Sequence, residues 1–150
     1  MSDLRDLYQE VIFDHYRRPR NCHRLSGANR TAEGYNPLCG DRMTLYLRIE
    51  DGIVKEASFE GAGCAIATAS ASLMTEALKG KTEAEAEALF GRFHDMVTTP
   101  AARQAAAAEM GKLAVLSGVR EFPERVKCAT LAWHTLRAAL HDEDRPVSTE

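Results

Sequence analysis

The stretch MTLYLRIEDGIVKEASFE, residues 43–60, decides the fold. Apolar and polar residues alternate or nearly alternate in its two halves, 43–50 and 53–60, and this period of two is typical of half-buried strands. Asp51 and Gly52 separate the halves, and an Asp-Gly pair between strands is a strong hairpin signal. The sequence therefore predicts an antiparallel hairpin, and an earlier strand through 30–36 would make the sheet three-stranded.

Helical periodicity flanks the predicted sheet on both sides. A sharp apolar stripe over residues 4–16 predicts an amphipathic helix that ends near Arg18, ahead of Pro19. Thr82 and Glu85 have the spacing of a capping box, which predicts a helix start. The further helices are expected at 65–80, 82–97, 101–109 and 123–140.

These elements define an α+β class, with a small three-stranded antiparallel sheet packed against helices on one side. We expect a single domain over residues 1–140, followed by a frayed or disordered tail at 141–150. A chain of 150 residues can bury roughly 68–70% of its unfolded surface. The fold should therefore need no metal or disulfide to form.

Composition excludes several classes of function. The net charge is −3 and there is no long basic run, so we expect no nucleic-acid partner. No apolar run approaches the roughly 20 residues that span a bilayer. The charged opening MSDLRDLYQE lacks the apolar region of a signal peptide, which indicates a cytoplasmic protein with reduced thiols.

Four cysteines in a reducing compartment indicate metal binding, sulfur chemistry or simple burial before they indicate disulfides. Cys39 stands two residues before Asp41, and the intervening Gly40 would allow a tight turn that aims both side chains at one point. Cys64 follows a glycine-rich stretch at a predicted helix start, where the helix dipole favours a thiolate.

Cys128 belongs to the last predicted helix. It follows Val126, which we place on the inward face, by two residues, so its side chain should point about 200° away from that face. Arg125 and Lys127 bring positive charge close to it. Three thiolates and one carboxylate suit a tetrahedral zinc ion, but they also suit an iron–sulfur cluster, and spacing alone leaves three unrelated buried cysteines open.

The other thiol and the histidines carry weaker signals. Cys22 and His23 could bind metal, although we expect Cys22 to be an exposed bystander. His15 falls on the apolar stripe of the first helix and is expected to be a core histidine. A nucleophilic cysteine–histidine pair stays open as an alternative.

Three stretches of the chain resemble the signature motifs of the U-type iron–sulfur cluster assembly proteins, the IscU/SufU family. They are NPLCGD (36–41), GAGCAIATASAS (61–72) and VREFPERVKCATLAW (119–133). The opening IFDHYRRPRN (12–21) is similar to the start of that family as well. The resemblance covers most of residues 4–140 and implies a SufE/IscU-like fold.

Two features are similar to the SufU subtype, the zinc-dependent sulfurtransferases, more than to the scaffold subtype. The scaffolds have a histidine directly before the last cysteine, where this chain has Lys127. Residues 81–110 resemble the extra helical segment of SufU.

The resemblance implies a zinc ion held by Cys39, Asp41, Cys64 and Cys128. It implies that Cys39 takes persulfide sulfur from a SufS-type cysteine desulfurase and passes it to a downstream iron–sulfur scaffold or other sulfur acceptor. Arg125 and Lys127 are candidate supporting residues, although a solvated helix arginine is the simpler interpretation of Arg125.

Two rival functions use the same residues. One is a scaffold on which a [2Fe–2S] cluster is assembled from iron and sulfide and then transferred, with aspartate ligation helping release. The other is a structural zinc or interaction module without chemistry.

Overall fold

The structure, a computed structural model, describes residues 2–37, 40–98, 110–141 and 147–148. Its helices are α1 (Ser2–Arg17), α2 (Ala65–Leu78), α3 (Glu83–Thr98), a 3₁₀ helix (Gly111–Glu121) and α4 (Pro123–Leu140). Its strands are β1 (Arg30–Asn36), β2 (Asp41–Glu50), β3 (Ile53–Ala62) and β4 (Val147–Ser148). The helix predicted at 101–109 lies outside the described residues. None of the described helices is long and apolar enough to cross a membrane.

The predicted hairpin forms β2 and β3 of a sheet whose strand order is β3-β2-β1-β4, so β3 lies at one edge. Strand β2 pairs antiparallel with both β1 and β3. Asp51 and Gly52 turn the hairpin with φ angles of 54° and 74°, and two positive φ angles suit the right-handed twist of the flanking strands. The three-stranded antiparallel sheet and the α+β class are therefore confirmed.

A fourth strand of two residues extends this sheet. Val147 and Ser148 pair in parallel with Gly34 and Tyr35 of β1. Part of the tail that we expected to be frayed therefore belongs to the sheet. Two residues are too few to show a strand period, and their pairing depends on tertiary structure, which the local sequence does not reveal. The domain boundary at residue 140 stays a prediction.

Helix α4 is the central helix of the fold. It packs against β1, β2, α2, α3 and the 3₁₀ helix. Its Trp133 is 1% exposed, stacks on Phe93 of α3 with 4.4 Å between ring centroids, and donates a hydrogen bond of 3.1 Å from Nε1 to Ser70 Oγ of α2. Neighbours on several sides make this helix part of the core rather than a surface helix.

The expectation that Cys128 points away from the core was wrong. Its side chain is 3% exposed, whereas Val126, the residue that we used to mark the inward face, is only half-buried. A single apolar stripe cannot define the buried surface of a helix that is enclosed by a sheet and by other helices. Burial alone is therefore a sufficient reason for a cysteine at position 128.

The start of α3 confirms the capping box. The Glu85 N–H donates to Thr82 Oγ1 at 3.1 Å, and the Thr82 N–H donates to Glu85 Oε1 at 2.9 Å. Two amide donors that the helix leaves without partners are satisfied in this way.

His15 joins α1 to α2 in the core, as expected. It is 1% exposed, and its Nδ1 lies 2.7 Å from Ser72 Oγ, which also accepts a hydrogen bond of 2.8 Å from the Arg20 N–H. Its Nε2 lies 3.8 Å from Glu76 Oε1. Burial lowers the pKa of His15, the nearby Arg20 and Lys112 lower it further, and the Glu76 and Asp14 carboxylates act in the opposite direction.

Strand β1 presents small residues to α4. Ala32, Gly34 and Asn36 alternate along its buried face. A Cβ at Gly34 would lie 2.1 Å from Thr135 Oγ1 and 3.0 Å from Leu131 Cδ1 of α4. The missing side chain of Gly34 therefore sets how closely the central helix approaches the sheet.

Gly34→Ala should lower the free energy of unfolding by about 1–3 kcal/mol, because the added methyl group forces Thr135 and Leu131 to move. Urea denaturation measures the change. Gly91→Ala is the matched control, since a Cβ there meets nothing within 4 Å, and it should leave stability unchanged or raise it. Equal stability of the Gly34 variant and the wild type would contradict the close approach of α4 to β1.

The lowered pKa of His15 gives stability a pH dependence. In the unfolded chain His15 binds a proton at the ordinary pKa of about 6.5, whereas in the folded chain its pKa is lower. Protonation therefore favours the unfolded chain, and the stability contributed by neutral His15 is lost as pH falls below about 6.5. Replacing the histidine by glutamine (H15Q) should therefore flatten the decline in unfolding free energy between about pH 7 and pH 5. The same change at exposed His23 should leave the decline as it is, and equal slopes for the wild type and the His15 variant would refute the assignment.

Candidate metal centre

Asp41 stands at the start of β2 and is 2% exposed. It pairs across the sheet with Asn36, the last residue of β1. Gly40, just before it, has a φ of 72°, and its N–H donates to the Asn36 carbonyl at 2.8 Å. That φ lies in the left-handed region that favours glycine. The sequence prediction of a tight, glycine-dependent turn beside Asp41 therefore agrees with the backbone at this position.

Cys64 is the N-cap of α2. Its φ and ψ of −70° and 172° are extended, and its Sγ accepts a hydrogen bond of 3.4 Å from the Ala67 N–H. Its own N–H donates to Asp41 Oδ1 at 3.0 Å. Sulfur in this position takes the place of the usual oxygen cap, at the helix end where the dipole stabilises negative charge.

Cys128 reaches the same place from α4. Asn36, which is fully buried, donates from Nδ2 to Cys128 Sγ at 3.7 Å. The two residues are 92 positions apart in sequence, so this contact depends on the packing of α4 against β1.

Asp41, Cys64 and Cys128 converge on one point. One ligand atom from each can be chosen so that all three lie within 4.8 Å of one another, and Cys64 Sγ lies 3.9 Å from Asp41 Oδ2. Metal–ligand bonds of about 2.0–2.3 Å in a tetrahedron place neighbouring ligand atoms about 3.3–3.8 Å apart. The 3.9 Å between Cys64 Sγ and Asp41 Oδ2 is slightly longer than this spacing, and the donor set of two sulfurs and a carboxylate is one that zinc accepts.

Cys39, the fourth predicted ligand, lies outside the described residues. The sequence places it two residues before Asp41, among the four residues that join the paired ends of β1 and β2. Its membership in the site stays a prediction.

The two candidate supporting residues lie on the first turns of α4. The Arg125 guanidinium stands 4.9 Å from the centroid of the Phe122 ring, and this ring is 52% exposed. Lys127 is half-buried beside Cys128. A stacked surface arginine agrees with the simpler interpretation of Arg125, and the supporting roles of both residues stay predictions.

Cys22 stands apart from this group. It is exposed, and its backbone forms an isolated bridge with Phe59 of β3. Desolvation and the Glu60 carboxylate raise the pKa of its thiol, which favours the protonated form at neutral pH. These properties match the bystander that the sequence analysis expected.

Sequence reasoning missed Asn36. The sequence analysis gave this residue no role of its own, while the structure places it on the buried face that β1 turns toward α4. The signal was available, because Ala32, Gly34 and Asn36 fall two residues apart on one strand face, and the last of them is polar.

The sequence is similar to those of known proteins over most of its length. Residues 7–129 match the family described as the NifU-like N terminal domain. The zinc-dependent sulfurtransferase SufU of Bacillus subtilis (strain 168) is 40% identical over 143 residues, which cover 95% of each chain. The iron–sulfur cluster assembly scaffold protein IscU of Streptococcus pyogenes serotype M1 is 39% identical over 140 residues, which cover 93% of this chain and 86% of IscU.

A solved structure shows the same fold. It is a crystal structure of a putative iron–sulfur cluster assembly scaffold protein for the SUF system from Fervidobacterium islandicum AW-1, 33% identical, with a TM-score of 0.80. The match covers 87% of this chain and 94% of that one. The resemblance that the three cysteine motifs indicate is thereby confirmed, and the chain belongs to the NifU-like N-terminal domain family, which includes the SufU and IscU proteins of iron–sulfur cluster assembly.

Proposed function

We propose that this protein is a zinc-dependent sulfurtransferase of iron–sulfur cluster biogenesis. It accepts persulfide sulfur on Cys39 from a SufS-type cysteine desulfurase and passes the sulfur on to a cluster scaffold or another acceptor. The convergence of Asp41, Cys64 and Cys128 carries this proposal, because Asp41 stands only two residues along the chain from Cys39. The similarity to the sulfurtransferase of Bacillus subtilis supports it.

The metal-holding residues of the proposal are Cys39, Asp41, Cys64 and Cys128. Zinc, when bound, keeps the cysteines deprotonated at neutral pH and has no redox chemistry that would destroy a persulfide. The donors are unequal, because one hard carboxylate stands among soft thiolates. With unequal donors, one cysteine can leave the zinc ion while the other three donors stay bound to it.

The contacts of the described residues suggest which three donors would stay on the metal when the fourth leaves it. Cys64 is fixed by its role as the cap of α2, and Cys128 lies buried in α4. Asp41 is fixed by the Cys64 N–H and by its pairing with Asn36. Cys39 belongs in sequence to the short link between two strands, beside Gly40. This division favours Cys39 as the residue that receives sulfur.

The proposed transfer balances without an added oxidant. The Cys39 thiolate attacks the outer sulfur of the desulfurase persulfide, and a new S–S bond forms as the old one breaks. The desulfurase cysteine leaves as a thiolate, and Cys39 becomes the persulfide. A second thiol exchange then passes the outer sulfur to the acceptor.

This chemistry requires thiols that stay reduced. Reduced thiols are typical of the cytoplasm, and this is the location that we propose for the protein.

A scaffold function is the second candidate. The similarity to IscU of Streptococcus pyogenes favours it, and the same thiolates and carboxylate could hold a [2Fe–2S] cluster as cargo. Lys127, in the place of a scaffold histidine, favours sulfur transfer instead.

Cys39→Ala should abolish the stimulation of a SufS-type desulfurase by this protein, because no thiolate is left to take the sulfur. The assay measures alanine released from cysteine, with thermal unfolding recorded in parallel. The variant should still fold, since the core formed by the described residues draws on the sheet and on the helices packed against it.

Cys22→Ser is the matched control, because it removes an exposed thiol outside the convergent group and should keep full stimulation. Stimulation that survives Cys39→Ala, with only a loss of stability, would instead support a structural zinc module.

Metal content separates the two candidate functions. A colourless protein with about one zinc per chain, isolated from cells grown with both metals, supports sulfur transfer. A brown protein that contains iron and acid-labile sulfide supports the scaffold. Elemental analysis and the visible absorption spectrum give the answer on the same sample.

A further inference from the structure

Asn36 is a buried amide that the proposed chemistry has not used. It is fully buried at the end of β1, on the strand face that otherwise carries Ala32 and Gly34. An amide in such a place is costly unless its hydrogen-bonding groups find partners. The strand could have continued with a small apolar residue here, so the amide needs a specific explanation.

One partner of the Asn36 amide is Cys128, a predicted metal ligand. Asn36 Nδ2 lies 3.7 Å from Cys128 Sγ, within the range of a hydrogen bond to sulfur. A metal-bound thiolate has no proton to give, so it can only accept, and the amide NH₂ group is the half of asparagine that can donate. The contact therefore suits Cys128 best in its thiolate form.

The backbone of Asn36 is tied to the same site. Its carbonyl accepts from the Gly40 N–H at 2.8 Å, and it pairs across the sheet with Asp41. Asn36 therefore contacts Cys128 through its side chain, and through its backbone it contacts the two residues that follow Cys39 in sequence.

We infer that Asn36 is a positioning residue of the metal centre, which donates a hydrogen bond to the Cys128 thiolate and makes this sulfur a fixed anchor. Hydrogen bonds from outer groups orient metal ligands and tune them. A donated N–H withdraws electron density from the sulfur, so Cys128 becomes a weaker nucleophile than a thiolate without such a donor. Transfer chemistry is then left to Cys39.

The inference rests on the proposed metal site, but it does not depend on sulfur transfer. A scaffold would need the same anchor. Its test can therefore be made on the loaded protein without a desulfurase.

The first test uses the wild-type protein, loaded with a spin-active cadmium isotope in place of zinc. Scalar coupling passes from the metal through sulfur to a hydrogen-bonded proton. One side-chain amide proton of Asn36 should show cadmium coupling in an isotope-labelled sample. Asn29 is the internal control, because its Nδ2 donates to the Ile49 carbonyl at 2.7 Å and should show none.

The second test is Asn36→Leu, which keeps the approximate shape and removes the donor. The zinc affinity, measured by competition with a chelator, should fall about 10–100-fold. In the Co²⁺-loaded protein, the thiolate-to-metal charge-transfer band should move to lower energy, because the sulfur lone pair loses its stabilising proton. Asn29→Leu alters an amide at the other end of β1 and should change neither quantity.

The outcomes are distinct. Cadmium that binds without coupling to Asn36, or a folded Leu variant with unchanged affinity and an unmoved band, would overturn the inference alone. A wild-type protein that binds neither metal would overturn the metal site together with it. If the Leu variant fails to fold, the coupling measured in the wild type decides.

Discussion

The close contact between β1 and α4 is the constraint on which the site depends. Gly34 lets the helix approach until Thr135 and Leu131 fill the space that a side chain would occupy. The same approach brings Cys128, near the start of this helix, to the end of β1 where Asp41 begins the next strand. Asp41 and Cys128, two predicted ligands that are 87 residues apart, meet because the core packs in this way.

The sequence predicted what local patterns determine. Alternation and the Asp51-Gly52 turn located the hairpin, and Thr82 with Glu85 located a helix start. It could not predict the burial of Cys128, because the neighbours that cover α4 come from several other helices and strands. The strand at 147–148 was missed for the same reason, since it is defined by its pairing with β1, which is distant in sequence.

In the candidate site, too, the sequence identified some features and tertiary contacts supplied the others. The motifs identified Asp41, Cys64 and Cys128 as a group, and geometry then supplied what the motifs do not contain. The Cys64 N–H that holds Asp41 and the amide that reaches Cys128 are tertiary contacts. The motifs thus name the candidate ligands, whereas the tertiary contacts show which other groups of the chain hold their side chains.

Both edges of the sheet are partly occupied by short pairings. On the outer side of β3, Cys22 bridges Phe59 and Thr82 bridges Ile53, while β4 covers β1 at Gly34 and Tyr35. Such brief pairings interrupt the rows of backbone groups that an added strand from another polypeptide would need. At these positions an added strand finds its hydrogen-bonding groups already used, so a partner that met the described edges there would be held by side-chain contacts and could dissociate without breaking a β-ladder.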